Sequence, residues 1–290
     1  MKPWDDTARL LLSMRLPVIG GRGAATTEAM VRAVRKGAAE LSRSIATAEE
    51  PMEGGVAFIT PGRAFIGDAN AARDVHTPAG LRPAEVLSTV AATFGRLDAA
   101  CAMLVPAAAR LEDEWPTLLS RHGFATRRQS LLAMDLAVEP QPHSSNLQVI
   151  SARAVGANYR AFLERFFLSR GTAADAASEA SACEAGFLDL DSFDLLAARH
   201  AGRVIGSIGV LTVAEMGLFR GLRVESGSPP GTVDTLLCHL LDLCKRSQFR
   251  QMIAAVNEGD DDTLSAFARI GMKKIATIES YVHPGIEVMA

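Results

Sequence analysis

The chain has 290 residues and a net charge of −3, with 48% hydrophobic and 22% charged residues. These are the values of a globular protein long enough for two domains of about 140 residues, and they exclude disorder and collagen-like repeats. The charge is spread evenly, 16 basic and 16 acidic residues in 1–140 and 14 and 17 in 141–290, which excludes the basic footprint of a nucleic-acid partner. No apolar run reaches the roughly 18 residues of a membrane span. Asp5 and Asp6 precede a short apolar stretch, the wrong order for a secretory signal, so a cytoplasmic protein is expected. The four cysteines, at 101, 183, 238 and 244, form no CxxC pair and no zinc spacing, so reduced thiols and no metal are expected.

In chain order, Trp4 to Met14 reads as helical and the Gly-rich stretch 16–25 breaks it. Thr26 to Ala48 carries Met30, Val31, Val34, Ala38, Leu41 and Ile45 on one helical stripe. Glu49 to Gly55 reads as a turn region. Val56–Thr60 and Arg63–Ile66 read as strands joined at Pro61-Gly62, and 67–82 as a loop. Pro83 starts a helix at its favoured first position, followed by a strand at Ala100–Val105. A helix from Glu112 to His122 stops at Gly123, and Arg128–Val138 reads as one or two strands. Glu139 to Asn146 is short, polar and Pro-rich, and marks the expected boundary between a first domain at 1–140 and a second at 147–290.

The second half opens with a strand at Leu147–Ser151. Helices follow at Val155–Leu168, with Tyr159, Phe162, Leu163 and Phe166 facing inward, and at Thr172–Gly186. Strands at Phe193–Arg199, Val204–Thr212 and Met216–Val224 precede the loop Glu225–Gly231. A helix at Thr232–Ser247 buries Leu236, Leu237, Leu240 and Leu241. A strand at Gln251–Val256, a helix at Asp262–Ile270 stopped by Gly271, and strands within Lys273–Val282 complete it. The helix ending at Gly123 and the helix ending at Gly271 hold the same place in each half, an internal duplication of about 150 residues.

Three segments carry a resemblance: the hairpin at 197–211, the strand-loop-helix at 217–241 and the strand-loop-helix-Gly run at 253–274. Together they resemble the GNAT (GCN5-related N-acetyltransferase) family in tandem, over 147–283 and more faintly over 26–138. The resemblance implies an α+β fold of two GNAT-like domains, each a mixed twisted sheet flanked by helices, the first degenerate and without an acyl-CoA of its own. It implies an N-acyltransferase using acetyl-CoA as co-substrate, a small-molecule or peptide amine as acceptor, and room for a homodimer. It also implies sites. The pyrophosphate would lie at the loop containing Gly227, Ser228, Gly231, Thr232 and Val233. Pyrophosphate needs converging backbone N–H donors at a helix N-terminus. Ser228 stands where the family has a basic or amide residue, Val233 where it has a small one, and Pro229 and Pro230 remove two donors. Leu222, Arg223 and Val224 would pair with the pantetheine arm, a strand N–H there facing the thioester oxygen. Asp260, with Asn257 as second candidate, stands near the family's Asn. Phe267 stands where the family's acid Tyr would be, and Glu215 is the expected base.

Several residues admit two readings. Asp260-Asp261-Asp262 is either a cation site or a solvated turn feeding charge to a helix N-terminus. Cys238 and His239 point about 100° apart on a helix, which reads as a core thiol beside a partly exposed imidazole. Gly20-Gly21-Arg22-Gly23 follows no strand and reads as a plain turn. Tyr281 is a buried structural residue or a substitute acid. The missing Tyr and the prolines also admit an inactive binding or scaffold protein as the second functional reading.

Overall fold

A computed structural model describes residues 25–63, 66–136 and 147–284. The expected helix at Trp4–Met14, the Gly20–Gly23 turn and the linker at Glu139–Asn146 lie outside the described residues. The first half contains α1 (Thr27–Ile45), β1 (Ala48–Met52), β2 (Gly55–Ile59), β3 (Ala71–Val75), α2 (Pro83–Gly95), β4 (Met103–Pro106), α3 (Glu114–Arg121) and β5 (Ala125–Asp135). The second contains β6 (Gln148–Ser151), α4 (Gly156–Ser169), α5 (Ala174–Gly186), β7 (Phe193–His200), β8 (Arg203–Val213), β9 (Met216–Val224), α6 (Thr232–Arg246), β10 (Gln251–Asn257), α7 (Asp261–Arg269) and β11 (Lys273–Val282).

Periodicity located the helices well, and the expected stripes of α1 and α6 are buried. On α4, Phe167 rather than Phe166 completes the buried face. The first hairpin differs from expectation. It turns at Glu53-Gly54, with Met52 opposite Gly55, not at Pro61-Gly62. β1 (AEEPM) looks like a turn because it is polar and contains Pro51, and its place at the sheet edge explains why both are tolerated. No strand forms at Arg63 or at Ile66, and Ile66 leads into a short 3₁₀ turn, Gly67–Ala69. β3 lies inside the segment read as a loop. Its Arg73 is buried and paired with Asp68 at 2.6 Å, so a charged residue occupies an inward position that the sequence pattern cannot flag.

The strands form one sheet in the order β1-β2-β3-β4-β11-β5-β10-β9-β8-β7-β6. The repeat is visible in it: β1, β2, β3, α2, β4, α3 and β5 correspond to β7, β8, β9, α6, β10, α7 and β11. Both α3 and α7 end with a positive-φ glycine, Gly123 and Gly271, and with N–H bonds from Phe124 to Leu119 and from Met272 to Phe267. The strands that follow are exchanged. β5 of the first half pairs antiparallel with β10 of the second, and β11 of the second pairs antiparallel with β4 of the first. β5 and β11 also pair with each other, from Lys273 opposite Ala133 to Val282 opposite Ala125.

Helix α1 packs on one face of the joined sheet, beside α4 and α5. It lies close to β8 and β9 because Gly37 has no side chain: a Cβ there would sit 2.7 Å from Leu218 Cδ2 and 3.0 Å from Leu211 Cδ2. Helices α6 and α7 cover the opposite face of the second half. Trp115, Leu119, Phe94 and Val90 fill the core of the first half. Trp115 is fully buried, with its indole N–H donating to Thr77 Oγ1 at 3.0 Å.

Candidate active site

β9 and β10 are parallel and pair from Met216 opposite Gln251 to Phe219 opposite Ala254. Both strands continue, β9 to Val224 and β10 to Asn257, without further mutual pairing among the described residues. The result is a V-shaped gap at their C-terminal ends, holding a cavity of about 60 Å³. That is roughly two water volumes, the scale of an acetyl group.

Side-chain alternation divides the wall of the gap. On the α6–α7 side stand Phe219, Leu222, Ala254, Val256 and Phe267, and Phe219 stacks on Phe267 with centroids 5.4 Å apart and planes 10° from parallel. On the α1 side stand Arg127 and Gln129 of β5, Arg220 of β9 and Asn257 of β10. Their strand neighbours Leu131, Leu218 and Ile253 point into the α1 core. A β-bulge interrupts β9. Ser207 lies opposite Arg223 and Gly209 opposite Arg220, so β9 carries one residue more than β8, at Gly221 and Leu222. Gly221 has φ +64. The extra residue puts Arg220 and Arg223 on one face, although they are three positions apart.

Loop 225–231 leads from β9 into α6. Arg165 and Arg203 both bind Glu225, at 2.8 and 3.0 Å, so two guanidiniums stand at the start of a loop whose own sequence has none. Ser228 N–H donates to Glu225 O, and Ser228 Oγ to the same carbonyl at 2.7 Å. Thr232 N–H and Oγ both donate to Pro229 O. Thr232 therefore closes the loop rather than presenting its hydroxyl outward. Gly231, φ +80, precedes the first turn of α6, and no atom lies within 4 Å of where its Cβ would stand. Gly227 also has φ +80 and the same open surroundings. Asp234 on the first turn of α6 is held by Arg269 at 2.7 Å.

The sequence-derived residues fall into groups. Leu222, Phe267 and Asp260 line the gap, with Asn257 as the second candidate beside Asp260. Gly227, Ser228, Gly231, Thr232 and Val233 form the loop and helix start beyond it. Val224 packs with the α6 core. Arg223 lies on the strand as expected, but its side chain turns away from α6. It binds Glu184 and lies 5.8 Å from the rings of Phe166 and Phe167, and Arg223 does not line the gap. Asp260 caps α7, accepting from Thr263 N–H at 3.1 Å. Glu215 requires a correction. It sits in the turn before β9 with Arg250 at 4.0 Å. The gap opens at the other end of the strand, about 16 Å away for five extended residues. Tyr281 is also elsewhere. Its ring is buried in the first-half core and its hydroxyl donates to Glu279 Oε2 at 3.1 Å, while burial pushes its pKa up to about 12.

Sequence reasoning missed Arg127, Gln129 and Arg220. Arg127 donates to Asn257 Oδ1 at 2.7 Å, and burial draws its guanidinium down to about 10, still charged at neutral pH. The only available signal was an arginine at an inward strand position. Its partner is 130 residues away. Among the described residues no group of three or more His, Cys, Asp or Glu is placed to hold a metal ion. No helix of the described residues is long and apolar enough to cross a membrane. Cys183 and Cys244 are buried and Cys101 and Cys238 half-buried, all as free thiols.

A second, larger cavity of about 420 Å³ lies in the first half between α2 and the segments around Cys101, His122 and His283. It touches neither β3 nor the C-terminal end of β4, and is mainly apolar.

No protein-family model matches the chain. No curated protein matches it either. Solved structures do. A conserved protein of unknown function from Staphylococcus epidermidis aligns with TM-score 0.62 at 13% identity, over 82% of this chain and 94% of its own. A GCN5-related N-acetyltransferase from Kribbella flavida aligns with TM-score 0.59 at 15% identity, over 87% and 95%. A tandem GNAT protein from the clavulanic acid biosynthesis pathway aligns with TM-score 0.51 at 13% identity, over 78% of each chain. With the open gap between β9 and β10 and the repeated order of elements, the chain has the α+β fold of the tandem GNAT acetyltransferases.

Proposed function

We propose that the chain is an acyl-CoA-dependent N-acyltransferase, with acetyl-CoA as co-substrate, a primary amine of a small molecule or peptide as acceptor, and its site in the second half. The observation that carries this reading is the gap between β9 and β10, open through the sheet between an apolar wall and a polar one.

The residues present fit acetyl-CoA. The unpaired edge of β9 beyond Phe219 offers backbone groups for strand-like pairing with an extended amide arm. The start of α6 at Gly231 supplies the helix N-terminus that favours phosphate, with Arg203 and Arg165 nearby. When bound, acetyl-CoA supplies an activated thioester. The amine nitrogen attacks its carbonyl, a C–N bond forms, the C–S bond breaks, and the proton lost by nitrogen balances the thiol released. The chain's part is to align the two and to meet the developing oxyanion with a β9 N–H. Phe219 and Phe267 exclude water from the apolar wall. Phe267 has no proton to give, so the proton passes through water and transfer is slow by the roughly 10²–10⁴ that an acid contributes.

Calorimetric titration with acetyl-CoA tests the reading. One saturating equivalent per chain is expected, weakened about tenfold or more in Gly231→Asp and little changed in Gly231→Asn, since both residues tolerate the left-handed backbone but only Asp adds repelling charge. A folded protein that binds no acetyl-CoA at millimolar concentration overturns it. Phe267 in place of a proton donor favours a second reading, a binding protein without turnover. Binding without CoA release in the presence of amines would select that one.

A further inference from the structure

We propose that the first half holds a binding site of its own, in the cavity beside α2, for an uncharged phenol-like molecule, an aromatic ring bearing one hydroxyl; this goes beyond the acyltransfer reading and does not rest on it. The two halves show where the cavity comes from. After α2, Ala99 N–H donates to Phe94 O at 3.2 Å, and after α6, Phe249 N–H donates to Cys244 O at 3.3 Å. The residue before each has positive φ, Asp98 at +51 and Gln248 at +57. Ala99 therefore stands where the second half has Phe249. Counting back along the two helices, Leu87 and Val90 match Leu237 and Leu240, all four buried, and Ala91 matches Leu241. Leu241 and Phe249 fill the α6 core. With alanines in their places, the first half has a cavity of about 420 Å³. That is well above the roughly 150 Å³ that takes benzene and within the roughly 300–1,000 Å³ range of ligand pockets.

Leu87, Val90, Phe94 and Phe124 make the wall apolar, with two aromatic rings to receive a third. Among the described residues that line it there is no Asp, Glu, Lys or Arg, so a charged ligand would find no counter-ion. The polar side chains are Ser88, Cys101, His122 and His283. Ser88 Oγ donates to Ala84 O at 2.9 Å and Cys101 Sγ to Met103 O at 3.2 Å, so both spend their hydrogens on backbone. His283 is held in place at three points. Its backbone N–H donates to Ala102 O at 3.1 Å, its ring centroid lies 4.0 Å from that of Phe124, and its Nδ1 is 3.2 Å from Gly123 O. A carbonyl only accepts, so Nδ1 carries the hydrogen and Nε2 of the neutral ring is an acceptor. The group that complements a fixed acceptor at one end of an uncharged apolar cavity is a hydroxyl on a ring. A carboxylate or an ether offers no hydrogen to Nε2.

The test uses the full chain at pH 8 and ligand-detected NMR titrations with three probes of similar size. These are 4-butylphenol, 4-butylanisole, which lacks the donor, and 4-butylbenzoate, which is charged. The phenol should bind saturably, about tenfold tighter than either of the others. His283→Phe keeps a ring to stack on Phe124 but loses Nε2, and should bring the phenol down to the affinity of the ether. Ala99→Phe and Ala91→Leu rebuild the filling of the second half, and each should weaken the phenol about tenfold or more. Ala91 is exposed, so that variant tests the site even if Ala99→Phe disturbs folding. No saturable binding of the phenol at millimolar concentration, equal affinity for phenol and ether, or tighter binding of the benzoate overturns the proposal. So does a preference that survives His283→Phe, or phenol binding unchanged in Ala91→Leu.

Discussion

In the first half, β3 and β4 stay together to their ends, with Val75 opposite Pro106 and Ala107 N–H donating to Val75 O at 3.0 Å. In the second half, the corresponding strands β9 and β10 pair over four residues and part. β3 has five residues and β9 has nine, so only β9 extends past the point of parting. The helix starts differ as well. The N-terminus of α2 is closed by its own Glu85, whose carboxylate accepts from Arg82 N–H at 2.7 Å. The start of α6 is a glycine with open space around it. One order of elements thus makes a closed seam in one place and an open gap in the other, and the deciding quantities are strand length and what stands at a helix N-terminus.

The comparison can be broken most severely by separating the halves. Residues 1–140 alone lack β11 and residues 147–290 alone lack β5, so each loses a strand from the middle of its sheet. Neither fragment should give a cooperative unfolding transition by circular dichroism, and co-expression should restore one. Two independently folded fragments would show that the exchange is dispensable. Next in size are the two buried ion pairs, one in each half. Asp68→Leu and Glu184→Leu each strand an arginine in the core and should cost about 3–5 kcal/mol in chemical denaturation. A loss below about 1 kcal/mol in either would mean that the arginine left behind reaches water.

Phe267→Tyr restores a proton donor on the apolar wall of the gap. If the reaction lacks only that group, CoA release with a reactive amine should rise about tenfold or more with acetyl-CoA affinity unchanged. An unchanged rate would locate the slow step elsewhere. The smallest effect contrasts two thiols. Burial pushes Cys244 in the α6 core and Cys101 beside the first-half cavity up to about 12. At pH 8 each should hold a thiolate fraction of about 10⁻⁴ and resist alkylation until the protein unfolds. Rapid labelling of Cys101 alone, read by mass spectrometry, would show that the first-half cavity opens where the second-half core does not.

Much of the second half was legible because its elements are long and its apolar residues strictly spaced. Leu236, Leu237, Leu240 and Leu241 named the buried face of α6, and Gly271 the end of α7. What the sequence offered toward the candidate site lies in backbone positions, along β9 and at Gly231, which the structure places at the gap and at the start of α6. The site was not legible at Glu215, because a carboxylate near a strand says nothing about which end of the strand opens. Nor was it legible at Arg127, whose strand belongs to the other half and whose neighbours are far away in sequence.

The sequence by itself determined the helices, most of the strands and the duplication, because periodicity and terminal glycines are local signals set within a few turns of chain. Tertiary structure decided that β5 and β11 change places, that β9 and β10 part while β3 and β4 do not, and that arginines from both halves meet at one gap. Those outcomes depend on pairing between strands more than a hundred residues apart and on which buried charges find partners. Neither is encoded at any single position.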